Sequence, residues 1–264
     1  DEEPRGEGAA AAAQVLAARG VQAEFVLDEG SFVIADHPVT GDAAALIGIT
    51  EKGYATVRVT ARAEGGHASA PPRETAVGVL AQALETLLEN SFPRRYEGAA
   101  RAMLEALAPQ ASRTARIAIA NPWLLRGLLV RQLGATPQGA AMLQTTIAPT
   151  MLSGSSRENV LATEASATLN LRIAPGDTVD AALRHLRESL EGRPVTVELV
   201  GEGRDPAPVS STDSEGYALI AGLAHSLFGA TVAPAPVIAA TDSRSMTAVS
   251  PHIYRFQPVR LALA

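Results

Sequence analysis

The order of strands and helices predicted between Tyr54 and Val200 is the feature that most limits the possible folds. Residues 54–63 alternate between polar and apolar side chains, which is typical of a strand with one face in solvent. A helix over 74–88 is followed by two strands, a second helix and a last strand, predicted over 143–151, 165–173, 177–190 and 195–200. This order, strand, helix, strand, strand, helix, strand, is the split βαβ arrangement of a small α+β domain.

The segments on either side have another pattern, in which short apolar strands alternate with helices. Such strands predict a mostly parallel sheet with helices on both faces, a fold of the α/β class. We therefore expect one α/β domain in two parts, residues 1–52 and 204–264, interrupted by an inserted domain over 53–203. A segment over about 90–140 is rich in Pro, Arg and Ala. We predict that it forms a helical insert within that inserted domain.

Composition excludes several functional classes. The 264 residues include no cysteine, so disulfide frameworks, thiolate zinc sites and thiol nucleophiles are ruled out. The formal net charge of −6 argues against a nucleic-acid partner, which usually requires a basic surface. No uncharged apolar run approaches the roughly 20 residues that span a bilayer. No apolar leader sequence is present either, which slightly favours the cytoplasm and leaves the compartment open.

Two acidic clusters are the first candidates for chemistry. Asp28 and Glu29 follow a predicted strand, and Asp1-Glu2-Glu3 opens the chain. Ligand sites in α/β sheets lie at the carboxyl ends of strands, where carboxylates can hold a divalent metal and leave one carboxylate as general base. The alternative is that these acids are only solvated surface.

Three polar residues and one polar turn complete the candidate set. His67 lies in a Gly-Gly-His-Ala-Ser loop, and Asn159 and Arg172 lie in the inserted domain. The guanidinium of Arg172, at a strand's end, suits a substrate carboxylate. Thr241-Asp242-Ser243-Arg244 forms a polar turn after an apolar strand. Each of these residues can also be explained without a functional role, as an exposed loop residue or a surface charge.

Taken in order, these stretches resemble the cocatalytic zinc metallopeptidase and aminoacylase superfamily. This superfamily includes aminoacylase, succinyl-diaminopimelate desuccinylase and the carboxypeptidase S type of Gly-X carboxypeptidase, and the chain is most similar to the carboxypeptidase S branch. The landmarks are residues 1–3, 27–30, 65–69, 145–150, 158–161, 172–178, 241–244 and 253–256. The resemblance implies a zinc-peptidase-type catalytic domain interrupted by a lid and dimerisation domain. It also implies two Zn2+ per active site and a homodimer formed through the lid.

The resemblance also implies a role for each candidate residue. Glu2 matches the general base, Glu3 a ligand of one zinc and Asp28 a ligand of the other. His67 matches a lid histidine that stabilises the oxyanion in the partner subunit's site. Four positions match residues that bind the substrate, Asn159, Arg172, Thr241 and Arg244. The implied reaction is hydrolysis of amide bonds in small peptides or N-acyl amino acids that carry a free carboxylate.

The chain departs from this pattern at both ends. The family's His-x-Asp motif lies upstream of Asp-Glu-Glu, and its last histidine ligand lies downstream of the Tyr-Arg-Phe strand. Neither falls within these residues, so each zinc keeps one ligand where catalytic zinc takes three. We therefore expect the chain to be truncated at both ends and to be an inactive fragment of the hydrolase. Two alternatives remain open: a degenerate family member, and a non-enzymatic dimerisation or partner-binding module, with the helix over 123–133 as a contact surface.

Overall fold

A computed structural model describes residues 7–262 of the chain. The helices are α1 (Glu7–Ala18), α2 (Ala76–Glu89), α3 (Gly98–Leu107), α4 (Arg113–Ala120), α5 (Pro122–Leu133), α6 (Pro137–Leu143), α7 (Val179–Ser189) and α8 (Glu215–Phe228). The strands are β1 (Val26–Asp28), β2 (Val33–Ile34), β3 (Ala44–Glu51), β4 (Gly53–Arg62), β5 (Gly66–His67), β6 (Thr146–Ser153), β7 (Val160–Leu161), β8 (Glu164–Ile173), β9 (Val195–Arg204), β10 (Thr231–Val237), β11 (Ile253–Arg255) and β12 (Arg260–Leu261). Two 3-10 helices cover Ala108–Gln110 and Asp242–Ala248.

These elements form two compact units. The first unit contains the described residues up to Lys52, then 94–143 and 207–262, and the second contains 53–93 and 144–206. The first boundary lies between residues 52 and 53, where the sequence predicted it, and the second lies between 206 and 207. The helical insert differs from the expectation, because residues 94–143 belong to the first unit and not to the inserted domain.

The second unit has the predicted split βαβ order. Its sheet is antiparallel, in the order β6-β8-β4-β9, with α2 and α7 packed on one face. Alternate residues of β4, from Ala55 to Ala61, point into this core, as do alternate residues of β8, from Ala165 to Ile173. The other face of β4 carries Arg58 and Arg62 in solvent, so the alternation predicted for residues 54–63 is confirmed.

The first unit is built on a mixed sheet of six strands. Parallel pairs join β1 to β11, β10 to β3 and β12 to β2, and antiparallel pairs join β3 to β11 and to β2. Side chains of β3 alternate between two cores, because successive residues of a strand point to opposite faces. Ala44 and Leu46 pack with the insert helices, whereas Ala45 and Ile47 pack with α8. Helices therefore cover both faces, as the sequence predicted.

The insert helices belong to the first unit because their apolar residues complete one of these two cores. Met103 and Leu107 of α3 and Leu129 of α5 are buried in the cluster that contains Leu46 of β3. Helix α5 begins at Pro122, one residue before the predicted helix over 123–133, and Asn121 Nδ2 donates to the Ile117 carbonyl at 2.8 Å.

The apolar side chains of α5 are only partly buried. Leu129 is buried and Leu125 and Leu133 pack against the same core, whereas Leu124 and Leu128 are exposed. Trp123 is exposed as well. None of the helices in the described part of the chain is long and apolar enough to cross a membrane.

Candidate active site

A buried ion pair lies at the centre of the candidate site in the first unit. Arg255 Nε donates to Glu51 Oε2 at 3.0 Å, and both side chains are almost fully excluded from solvent, 0% and 1% exposed. Glu51 ends β3 and Arg255 ends β11, and the antiparallel pairing places Arg255 opposite Gly48. A Cβ at Gly48 would lie 3.0 Å from Cβ of Arg255 and 2.4 Å from the side chain of Val237, so glycine permits this close approach.

Glu51 also fixes the polar turn that follows β10. Its Oε2 accepts hydrogen bonds from the Thr241 backbone N at 2.9 Å and from Thr241 Oγ1 at 2.8 Å. The Thr241 hydroxyl proton is thereby used, so the Ser243 hydroxyl donates to Thr241 Oγ1 across 2.6 Å. Strand β10 runs parallel to β3 with Val237 opposite Glu51, which brings the turn to the end of β3.

The network continues to Asp28, the predicted zinc ligand. The Ser243 backbone N donates to Asp28 Oδ2 at 2.9 Å, and the Asp28 carbonyl accepts from the Phe256 N at 2.7 Å. Asp28 is half-buried at the end of β1. The structure thus connects Asp28 to Thr241, two residues that the sequence analysis named as candidates.

Gly30 lies next to the same cluster of residues. Its φ of +130° is in the region that favours glycine, and a Cβ there would lie 3.3 Å from both Arg255 Cβ and Thr241 Cγ2. The acidic turn after β1 therefore packs directly against the ion pair and the turn after β10.

The positive charge of Arg255 is compensated by the nearby carboxylates of Glu51 and Asp28. Burial lowers the pKa of the Arg255 guanidinium from its ordinary value, and the charges of Glu51 and Asp28 oppose that effect. The guanidinium therefore stays positive, since an arginine pKa remains far above neutral pH. It provides a fixed positive charge behind the carboxylates of the site.

The described residues alone do not complete a metal site. Among residues 7–262, no group of three or more His, Cys, Asp or Glu side chains is placed to hold a metal ion. Asp28 is a carboxylate of the kind that binds zinc. The predicted general base Glu2 and the predicted ligand Glu3 lie outside the described residues.

The second unit brings two of the predicted residues together. His67 lies on β5, whose partner β7 pairs His67 with Val160, and the Ala68 N donates to the Asn159 carbonyl at 3.0 Å. His67 is exposed, and its Nδ1 contacts Ser69 Oγ at 2.8 Å.

Arg172 and Arg244 occupy different surroundings. Arg172 is half-buried near the end of β8, where Nε donates to Asn170 Oδ1 at 3.2 Å and the guanidinium lies 5.1 Å from the centre of the Tyr54 ring. Arg244 is half-buried in the 3-10 helix of the first unit, three residues after Thr241.

A cavity of about 480 Å³ lies in the first unit between the sheet and the insert helices. Its wall includes Ile34 and Leu46 of the sheet, and Met103 and Met142 of the helices. His37 lies in the wall, and burial lowers the pKa of its imidazole to about 4, so it is neutral near pH 7. Its Nδ1 accepts from the Val39 N at 3.2 Å.

The sequence analysis missed two features of the first unit, the Glu51–Arg255 pair and the cavity. The signal for the pair was a charged residue within or directly after an apolar strand, since Glu51 follows Ala43–Ile49 and Arg255 lies in Ile-Tyr-Arg-Phe. A charge in such a place is rarely buried without a partner. The cavity had no local signal, because its wall comes from three separate parts of the chain.

Comparison with known proteins gives a family match and several relatives. A family model described as "Peptidase dimerisation domain" matches residues 49–197. The chain is 39% identical to the "N-fatty-acyl-amino acid synthase/hydrolase PM20D1.1" of Danio rerio, over 98% of this chain and 51% of that protein. It is 36% identical to the human "N-fatty-acyl-amino acid synthase/hydrolase PM20D1", over 98% of this chain and 53% of that protein. It is 34% identical to "Probable carboxypeptidase S-like 2" of Dictyostelium discoideum, over 90% of this chain and 46% of that protein. The chain thus spans about half the length of the curated relatives it matches.

A solved structure supports the fold. An M20 family metallo-carboxypeptidase from Sulfolobus solfataricus aligns with a TM-score of 0.57 at 15% sequence identity, over 93% of this chain and 58% of that one. At that identity the likeness concerns the fold alone.

Proposed function

We propose a function from the premise that the chain belongs to the M20 family of peptidases and amidohydrolases. The proposed activity of the full-length protein is zinc-dependent hydrolysis of the amide bond of an N-acyl amino acid or small peptide with a free carboxylate. Relatives named as N-fatty-acyl-amino acid synthase/hydrolases and as carboxypeptidase S-like support both substrate types. We favour N-acyl amino acids, because the more similar relatives carry that name.

One observation carries the proposal. Asp28 and Thr241 lie 213 residues apart in the chain, and a continuous set of hydrogen bonds through Ser243 joins them and Glu51. A plain surface acid would need no such support. Rigid hydrogen bonding is what holds a metal-binding carboxylate in one orientation.

The roles proposed for this unit follow from its chemistry. Asp28 is a ligand of one of two zinc ions, Glu3 is a ligand of the other and Glu2 is the general base. When bound, zinc polarises the scissile carbonyl and lowers the pKa of a water molecule. Thr241 and Arg244 line the substrate pocket, and the buried ion pair keeps the Thr241 turn in place.

Three further residues of the proposed site belong to the second unit. The guanidinium of Arg172 binds the free carboxylate of the substrate, for which its planar donors are suited. Asn159 donates to a carbonyl, and His67, exposed on β5, stabilises an oxyanion in the partner subunit's site. Homodimerisation through this unit is proposed from the family description, and the edge strand β6 exposes Met151 and Leu152.

The substrate class is tested by blocking the carboxylate. We expect the full-length protein to release the amino acid from an N-acyl-alanine and to act at least about tenfold more slowly on the corresponding N-acyl-alanine amide, because a charged hydrogen bond is lost. Arg172→Leu should remove this preference, whereas Arg58→Leu, an exposed arginine on β4, should keep it. Equal rates on both substrates by the unaltered protein would reject the requirement for a free carboxylate.

A further inference from the structure

The cavity of the first unit points to a binding site for an aliphatic chain. We infer that it receives the acyl chain of the substrate, an inference that rests on the proposed function. Its volume of about 480 Å³ is in the range of small-molecule sites, roughly 300–1,000 Å³. It lies between the sheet and helices α3, α5 and α6, so the helical insert forms one of its walls.

The chemistry of the wall selects an uncharged, apolar guest. No Asp, Glu, Lys or Arg side chain lines the cavity among the described residues. Within residues 7–262, His37 is the one titratable group in the cavity wall, and it is neutral near pH 7 because burial disfavours its charged form. Each methylene of a ligand that moves from water into such a cavity contributes about 0.8 kcal/mol to the free energy of binding. This contribution lowers the dissociation constant about fourfold.

The position of the cavity connects it to the proposed reaction centre. Gly30 and Val237 line the cavity. A Cβ at Gly30 would lie 3.3 Å from both Arg255 Cβ and Thr241 Cγ2, and Val237 is paired opposite Glu51 in the sheet. Gly30 is two residues after Asp28. One end of the cavity therefore reaches the residues that surround the scissile carbonyl in the proposed function.

The acyl half of the substrate fits this site better than the amino-acid half. An amino-acid side chain begins one carbon away from a charged carboxylate, which would need a cation that the cavity wall lacks. Beyond the scissile carbonyl, an alkyl acyl chain has no polar group to satisfy. The cavity therefore determines which acyl lengths the protein accepts.

The experiment measures binding of straight-chain alkanoates, the acyl products of the proposed reaction, to the full-length protein by calorimetry. The probes are butanoate, octanoate and dodecanoate, each below its micelle concentration. We expect affinity to rise about fourfold per methylene until the cavity is full. An affinity that does not depend on chain length would overturn the inference.

Variants locate the binding site. Val39→Phe, which narrows the cavity, should weaken dodecanoate binding at least about tenfold and leave butanoate unchanged, because it excludes several methylenes. Met142→Ala, which enlarges it, should extend the rise in affinity to hexadecanoate. Leu124→Ser, at an exposed position of α5 outside the cavity, is the matched control and should change nothing. The inference is overturned if Leu124→Ser weakens dodecanoate binding and the folded cavity variants do not.

The two proposals can fail separately. Absence of hydrolysis of both N-acetyl-alanine and N-dodecanoyl-alanine by the zinc-loaded protein would reject the function, while the alkanoate series still tests the cavity. Hydrolysis of both substrates, with the same chain-length preference in Val39→Phe, Met142→Ala and the unaltered protein, would reject the cavity as acyl site and keep the function.

Discussion

Arg255 and Glu51 form an ion pair of 3.0 Å that is closed to solvent, and the same carboxylate oxygen holds Thr241 by two further hydrogen bonds. One buried charge pair thus links two strands of the sheet to a turn of the candidate site. The pair fixes the positions of these elements more than it stabilises the fold. The attraction between two buried charges roughly equals the free energy that their removal from water costs.

Removing one partner of this pair should be costly. Glu51→Gln leaves the Arg255 guanidinium buried without a counter-charge, and we expect a loss of about 3–5 kcal/mol in the free energy of unfolding. Urea unfolding measures this loss. Glu164→Gln, in the exposed pair between Arg62 and Glu164, is the matched control and should cost less than about 1 kcal/mol. Similar losses in both variants would contradict the importance given to burial.

The hydroxyl of Thr241 should matter more than its methyl group. Thr241→Val removes the donor to Glu51 and the acceptor of the Ser243 hydroxyl, and we expect a loss of about 1–3 kcal/mol in the free energy of unfolding. Thr241→Ser keeps both hydrogen bonds and should cost less than about 1 kcal/mol, the loss of one methyl group. Thermal and urea unfolding of the two variants measure these losses. A larger loss in Thr241→Ser than in Thr241→Val would contradict the role given to the hydroxyl.

His37 should make the stability of the first unit depend on pH. Its pKa in the folded protein is about 4, below the 6.5 of the unfolded chain, so between these values only the unfolded chain binds the proton. The contribution is fully present above pH 6.5, and the free energy of unfolding decreases as pH falls towards 4, by up to about 3 kcal/mol. Urea unfolding across this pH window measures it.

The comparison variant is His37→Asn, whose amide oxygen can still accept from the Val39 N. It should lose less stability than the unaltered protein as pH falls through this window. His67→Asn, at an exposed histidine of the second unit, controls for a general effect of histidine removal. Parallel pH curves for the unaltered protein and His37→Asn would show that His37 is not the titrating group.

The proposed role of His67 across the dimer can be tested by mixing inactive variants of the full-length protein. Asp28→Asn disables the metal site of its own subunit, and His67→Ala disables the partner's site. Random exchange makes half of the dimers mixed, each with one complete site, so we expect about a quarter of the unaltered activity. Activity no greater than the average of the separate variants would place His67 in the site of its own subunit or outside any site.

The second unit was easier to predict than the first. Its strands and helices follow one another in sequence, and the alternation from Tyr54 to Ala63 gives the buried face of β4 directly. The insert helices were harder, because Leu129 is buried against Leu46, a residue distant in the chain, and local periodicity does not reveal which sheet a helix covers.

Single residues of the candidate site could be named from the sequence, but the hydrogen bonds that join them could not. Asp28 and Thr241 were identified from motifs, but the hydrogen bonds through Ser243 and Glu51 require three strands to meet. Glu51 and Arg255 lie in apolar segments, where a charge without a visible partner has no local explanation. The partner of each is about 200 residues away, which only the folded sheet reveals.

The central claim is that the full-length protein is a zinc-dependent amide hydrolase in which Asp28 binds metal. The most direct measurement is release of alanine from an N-acyl-alanine by zinc-loaded protein, before and after chelation, for the unaltered chain and for Asp28→Asn. We predict that chelation abolishes release, that added zinc restores it in the unaltered protein, and that Asp28→Asn, which is folded by circular dichroism, loses more than about 100-fold in zinc affinity and is not restored. Undiminished release by Asp28→Asn, or by the chelated protein, would contradict the claim.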